Sequence, residues 1–506
     1  MKNAAPVASA LALVFVCILQ LLAMWRLAHR PGLDVDESEF LHASLRMARG
    51  ERIYLDFAEH HPPFLFHLLS RMAPRDTNDR PALDAWVLRA RLLSALFGAV
   101  AVAAVAFVIV RATGMLYAPA IFIGTLLASP ALWSRAFADV RTEPAALALF
   151  CAGAALVLLD SRRITLAAIG AGMIALGCLI NPKWPLSSVA LGIIFLVAAV
   201  RAGRAAFLRG VAMALAMMAA IALLLVSTID PRLYVDFVFV QSRHLFWWLS
   251  HRPEVVTITP FFHCPPLLQP LYVFPAAAIV LAAAIATRDS FRDVRIVYGV
   301  IALVVTTFLE IRFVYAYPML FVQYYILWGI AAAAAYAFLP AAVAGLLAKG
   351  VPNVAPVARV VPVVLTILAI VAAVAALPAA GVPDPNVVAN AALAARLRPG
   401  DTVFLGMRRH PLGAHDASYY WFGFGDFVPS AIDLAKTPAG ARFLPPIREE
   451  DLPPCRLERG LEPHLRLVTG GDEVAPMPVV SGCIDRLRVR GVLLPTHTKD
   501  VYYVRP

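Results

Sequence analysis

The chain has 506 residues, 60% hydrophobic and 15% charged, with 44 Lys and Arg against 33 Asp and Glu, for a formal net charge of +11. With mean hydropathy +0.74 and recurring apolar runs of about 17 to 25 residues, it reads as a polytopic helical membrane protein, and a single soluble fold is excluded. The positive charge does not imply nucleic acid as a partner, because basic-aromatic modules are missing and basic residues in short loops are what orients helices across a bilayer.

The opening stretch MKNAAPVASALALVFVCILQLLAMWRLAHR has a short basic start and an apolar run of about 20 residues, longer than a signal-peptide core. No A-x-A-like site follows it, so an uncleaved first transmembrane helix is expected. Further apolar spans lie at 86 to 110, 115 to 133, 143 to 160, 164 to 180, 185 to 200, 209 to 229, 266 to 287, 295 to 311, 317 to 338 and 360 to 380. With the first, at 7 to 28, they predict an all-α membrane domain over residues 1–380, of about eleven transmembrane helices within a range of about 10 to 13. The basic residues between them, such as Arg111, Arg162, Arg201, Arg288, Arg295 and Lys349, fall on one side if the N-terminus is cytoplasmic. The other side then receives an acidic first loop (31–85), a Trp-rich loop (230–265) and everything after residue 381.

That tail, 381–506, is turn-rich, and its segments DTVFLGM and RLRVRGVLL have strand character, so an α/β domain outside the membrane is expected. Cys455 and Cys483 lie in it and are expected to pair in an oxidising compartment, whereas Cys17, Cys151 and Cys178 sit in apolar spans. Abundant alanine and an excess of arginine over lysine indicate a GC-rich bacterial genome, hence a bacterial inner membrane with a periplasmic tail.

The first loop, GLDVDESEFLHASLRMARGERIYLDFAEHHPPFLFHL, places Asp34, Asp36, Glu37 and Glu39 directly after an apolar span. Phe40, Leu41, Leu45 and Met47 suit an amphipathic helix lying on the membrane surface, which Gly50 can end. The acids could simply cap that helix, Asp34 above all. Glycosyl transfer from a lipid phosphate gives them another use, because a carboxylate must accept the proton of the acceptor hydroxyl and cations must meet the phosphate charge of the leaving group. Lys183 and Arg312 sit at predicted external helix ends, where a lipid headgroup would lie.

Asp36, Glu37, Gly50, Tyr54, Asp56, Pro62 and Pro63, in that order, resemble the first external loop of the GT-C glycosyltransferases. The likeness is nearest to the protein O-mannosyltransferase (dolichyl-phosphate-mannose-protein mannosyltransferase) and aminoarabinose-transferase branch; the His60-His61 pair departs from it, since lysine is frequent there. SRAFADVRTEPAALALF (134–150), INPKWP (180–185) and EIRFVYAYP (310–318) resemble later segments of that family in the expected order. The resemblance implies an inverting transfer from a polyprenyl-phosphate sugar to a lipid, glycan or protein acceptor. Asp36 would be the base, Glu37 and Glu143 would orient hydroxyls, and Lys183 and Arg312 would hold the donor phosphate. Asp34, Tyr54, Asp56, His61, Asp139 and Tyr315 would position substrate.

The partners expected are therefore the lipid-linked donor, its acceptor and membrane lipids. No cofactor is required on this reading: His60 and His61 near Asp56 and Glu59 could ligate a divalent metal, but the spacing matches no standard site and no metal is assigned. The aromatic run His244, Phe246, Trp247, Trp248, His251 and Arg252 is expected at headgroup level. A transporter would keep its polar residues near mid-membrane on broken helices, unlike the loop acids here, and a non-catalytic scaffold would tolerate loss of Asp36.

Overall fold

The computed structural model describes residues 4–30, 33, 35–74, 76, 79–129, 137, 139–159, 164–251, 264–314, 325–350, 355–376, 392–393, 395–398, 400–405, 412, 414–419, 427–470, 474–496 and 498–505. It divides into two compact units, each drawn from separate stretches of chain.

The first unit takes residues 1–29, 91–224 and 258–380 and is built from apolar helices. Among the described residues, six helical segments are long and apolar enough to cross a membrane: Val7–Ala28, Arg80–Thr113, Thr142–Leu159, Arg204–Thr228, Val294–Phe313 and Ile326–Gly350. Five shorter apolar helices, Tyr117–Leu127, Ile164–Ile180, Pro185–Arg201, Pro270–Ala286 and Val360–Ala375, accompany them. Every apolar span read from the sequence thus contains a helix, as expected where each backbone group must find its partner without water. Thr142–Leu159 and Ile164–Ile180 pack at close range because Gly153 and Gly170 face each other: a Cβ on Gly153 would lie 2.5 Å from the Gly170 carbonyl oxygen.

The second unit takes residues 30–90, 225–257 and 381–506, so the acidic loop belongs to the same compact body as the tail. Its first helix, Val35–Ala48, is followed by Gly50 at φ +93°, a left-handed conformation that glycine adopts without strain. The expectation of a surface helix with a lipid-facing side is corrected: Phe40, Leu41 and Leu45 are buried, but so are Glu37, Glu39, His42, Ser44 and Arg46. The polar side is buried because it is satisfied within the unit. His42 Nε2 lies 2.7 Å from Asp416 Oδ2, Arg46 Nη1 donates to the same oxygen at 3.2 Å, and Arg46 Nε donates to Glu51 at 2.7 Å.

The Trp-rich stretch forms helix Pro231–Val235, a π-helical turn Asp236–Gln241 and helix Ser242–Ser250. Leu245 and Leu249 are buried while Trp247 is half exposed, flanked by the His244 and His251 rings at 5.3 and 4.7 Å. Arg252 lies outside the described residues. The tail carries a five-stranded sheet of β1 Thr402–Phe404, β2 His415–Asp416, β3 Leu465–Thr469, β4 Leu493–Pro495 and β5 Val501–Val504, in the order β2-β1-β3-β5-β4. β1 runs parallel to both of its neighbours, and β5 antiparallel to β3 and β4.

One strand expectation is half corrected. The segment RLRVRGVLL begins as the end of helix Pro478–Val489 and becomes β4 only at Leu493. Val480, Cys483, Ile484 and Leu487 form one buried helical face there, and this spacing wins over the alternation of arginines. Cys483 on that helix is disulfide-bonded to Cys455 on helix Pro453–Glu458, with Cα atoms 5.2 Å apart.

Candidate functional site

The residues singled out by sequence fall in both units. Those of the second unit gather around helix Val35–Ala48. Asp36 and Glu37 occupy its first turn, where carboxylates favour the positive end of the helix dipole. Asp36 is half-buried; Glu37 is fully buried and accepts a hydrogen bond from Arg30 Nη2 at 3.1 Å. Asp34 lies outside the described residues.

The following loop is held by its own side chains. Asp56 accepts hydrogen bonds from the Arg52 backbone N–H at 2.7 Å and from its guanidinium at 3.1 Å, contacts that hold the Asp56 carboxyl below its ordinary range. Tyr54 is buried at φ +70°, uncommon for a residue with a side chain. Its ring stacks on Phe237 at 4.7 Å and its hydroxyl donates to the His61 carbonyl at 2.5 Å. The Tyr419 hydroxyl in turn donates to the Tyr54 carbonyl at 2.7 Å. Tyr54 and Asp56 thus fix the path of the loop leading to His60 and His61.

At the end of that loop Glu39, Glu59, His60 and His61 bring one ligand atom each to within 4.8 Å of one another. His61 Nδ1 is 2.8 Å from Glu59 Oε1 and 3.4 Å from Glu39 Oε1; His60 Nδ1 is 3.5 and 3.7 Å from the same two oxygens. Burial first, then the charge of Glu59, raises the Glu39 carboxyl above its usual range. Burial alone would lower His61, but Glu39 and Glu59 outweigh it and raise the imidazole above its ordinary value.

The residues of the first unit gather where helices Thr142–Leu159 and Pro185–Arg201 begin. Glu143, in the first turn of one, is buried and pairs with Lys183 Nζ at 2.5 Å, while about a fifth of the lysine side chain stays exposed. Asn181 Nδ2 donates to Thr142 Oγ1 at 3.2 Å, tying the same loop to the same helix end. On the other side of the loop, buried Glu310 accepts from the Ser187 N–H and from its hydroxyl, both at 2.8 Å, and so caps helix Pro185–Arg201 from a distant part of the chain. Asp139 and Arg141 are buried as a pair at 3.5 Å. Arg312 is exposed and lies over the Phe313 ring, 5.4 Å from its centroid. Tyr315 and Pro318 fall outside the described residues.

Sequence reasoning brought Lys183 and Glu143 to one site without pairing them. It missed three arrangements: the convergence of Glu59 on Glu39, the His42–Asp416–Arg46 contact and the Glu310 cap. An acid directly before a histidine pair and two prolines was the signal available for Glu59. The other two join residues more than a hundred positions apart and have no local signature.

No protein-family model matches the chain, and no curated protein matches it. Among solved structures, the crystal structure of ArnT from Cupriavidus metallidurans in the apo state is similar in fold, with a TM-score of 0.55 and 16% sequence identity over 98% of each chain. The chain therefore has an ArnT-like fold, a polytopic helical domain with a C-terminal domain.

Proposed function

We propose that the chain is a membrane glycosyltransferase that moves a sugar from a polyprenyl-phosphate donor to an acceptor. The observation that carries the reading is the fold shared with ArnT along 98% of both chains, which extends through the acidic loop and the tail as well as the apolar helices. The residues support it in chemical terms. Asp36 accepts the proton of the acceptor hydroxyl; the new bond forms at the anomeric carbon as the bond to the phosphate oxygen breaks; polyprenyl phosphate leaves without needing a proton. Attack opposite the phosphate inverts the anomeric centre, and one base suffices where a hydrolase would need an acid as well. Glu37, fixed by Arg30, is suited to orient a hydroxyl rather than to take a proton.

Lys183 keeps about a fifth of its side chain exposed while Glu143 sets the direction of its ammonium, an arrangement suited to receiving a phosphate oxygen, and exposed Arg312 supplies a second cation. Asp139 and Tyr315 are assigned to substrate positioning on the family resemblance, and the bacterial inner membrane, with the tail periplasmic, remains the proposed location. The test uses membranes of equal expression supplied with a radiolabelled polyprenyl-phosphate sugar pool. Asp36→Asn should lower transfer at least about a hundredfold, the usual scale for a general base. Transfer at the wild-type rate would remove Asp36 from the chemistry, and undetectable transfer by wild type across donors would favour a scaffold that presents the tail.

A further inference from the structure

The cluster of Glu39, Glu59, His60 and His61 carries no bond-making step of the transfer just described, and its internal contacts do not satisfy it. Glu59 Oε1 accepts from the backbone N–H groups of His60 and His61 at 2.8 and 3.1 Å and from the His61 ring at 2.8 Å. Glu59 Oε2 and Glu39 Oε1 are buried and accept no hydrogen bond among the described residues. Both carboxylates are at most 3% exposed at the side chain. A single proton on His61 Nδ1 serves Glu59 at 2.8 Å and leaves Glu39 Oε1 without a hydrogen bond, an expensive state for a buried carboxylate oxygen.

One cation would answer all of these groups together. With metal–nitrogen and metal–oxygen bonds of about 2.1 Å, neighbouring ligands of a tetrahedral site stand about 3.4 Å apart. The four separations between imidazole nitrogens and carboxylate oxygens are 2.8, 3.4, 3.5 and 3.7 Å, all close to that edge. The supports are also those of a built site: the Phe40 ring packs on the His61 ring at 4.7 Å, the Phe427 ring on that of His60 at 4.7 Å, and Tyr54 holds the His61 carbonyl. Two nitrogens with two carboxylate oxygens suit a borderline transition cation, whereas Mg2+ and Ca2+ prefer oxygen alone.

We propose that Glu39, Glu59, His60 and His61 bind one divalent transition cation of the Zn2+ class. The ion joins the helix that carries Asp36 to the loop before Pro62, and its presence does not depend on whether the chain transfers sugar. The sequence reading assigned no metal because two adjacent histidines match no ligand spacing; the missing ligand was Glu39, about twenty residues earlier and one helical turn after Asp36.

The experiment uses the full chain, purified in lipid nanodiscs without chelators, and reads metal content by mass spectrometry. Stripped protein is then titrated with Zn2+ against a chromophoric chelator, and with Co2+ for its visible ligand-field bands. Wild type should hold about one equivalent, and Glu39→Gln and Glu59→Gln should each weaken Zn2+ binding by at least about tenfold. Asp84→Asn, on an exposed helical turn, should bind like wild type. If the glutamine variants do not purify as monodisperse protein, His60→Gln decides, its side chain being 14% exposed, and it too should bind at least about tenfold more weakly. Absence of saturable binding up to about 0.1 mM Zn2+, or equal affinity in wild type and His60→Gln, would overturn the site. None of these readouts requires glycosyl transfer, so the metal site and the proposed activity can fail separately.

Discussion

Lys183 and Glu143 form an ion pair in which one partner is nearly dry and the other reaches solvent. Removing the lysine alone strands a buried carboxylate, so Lys183→Ala should destabilise the fold by about 3 kcal/mol. Lys183→Ala combined with Glu143→Gln should recover most of that loss, while donor binding should stay impaired if Lys183 also meets the phosphate. Thermal unfolding of the purified variants measures the first effect, and donor KM the second. The sequence identified both residues, since charges beside apolar spans are conspicuous. It could not supply their distance, because position 183 meets position 143 only after two helices have folded back on one another. Glu310 illustrates the same limit more sharply: in the sequence it is one acid before an arginine, and its use as a cap for Ser187 is purely tertiary.

At the scale of elements, apolar length was the legible quantity. A run of about 20 residues without charge has few options in a bilayer, and the eleven spans became helices accordingly. Patterns inside polar segments were less reliable. Alternating arginines made 486–489 look like a strand, yet the buried face of Val480, Cys483, Ile484 and Leu487 is helical. Likewise the helix after Asp36 read as amphipathic from its apolar residues alone, whereas its histidine and arginine are also buried, against Asp416. Close packing was also invisible before the structure: nothing local marks Gly153 and Gly170 as the point where two helices nearly touch. Gly153→Leu should therefore force Thr142–Leu159 and Ile164–Ile180 apart, lowering thermal stability in detergent, while the same change at Gly192, which has open space, should be well tolerated.

For the whole molecule, an odd number of spans with the basic loops on one side predicts that a C-terminal reporter is active only in the periplasm. An alkaline phosphatase fusion should be active there and a cytoplasmic reporter at the same position silent; the opposite result would invert every loop assignment. The polarity is an expectation from charge counts, which the fusion tests. The division into units was not legible in the sequence, because the acidic loop, the Trp-rich segment and the tail are far apart in the chain yet form one compact body.

That discontinuity has a consequence in time. The His42 ring and Asp416 are 374 residues apart. At a synthesis rate of about 5 to 20 residues per second, the helix bearing Asp36 exists for roughly 20 to 75 s before the aspartate that meets His42 and Arg46 has been made. During that interval Glu51 is present for Arg46 but the contact with Asp416 cannot form, and the acidic loop must wait as unfinished chain while the later spans enter the membrane. The second unit is thus the last part of the protein to be completed, although it contains some of the first residues to be translated.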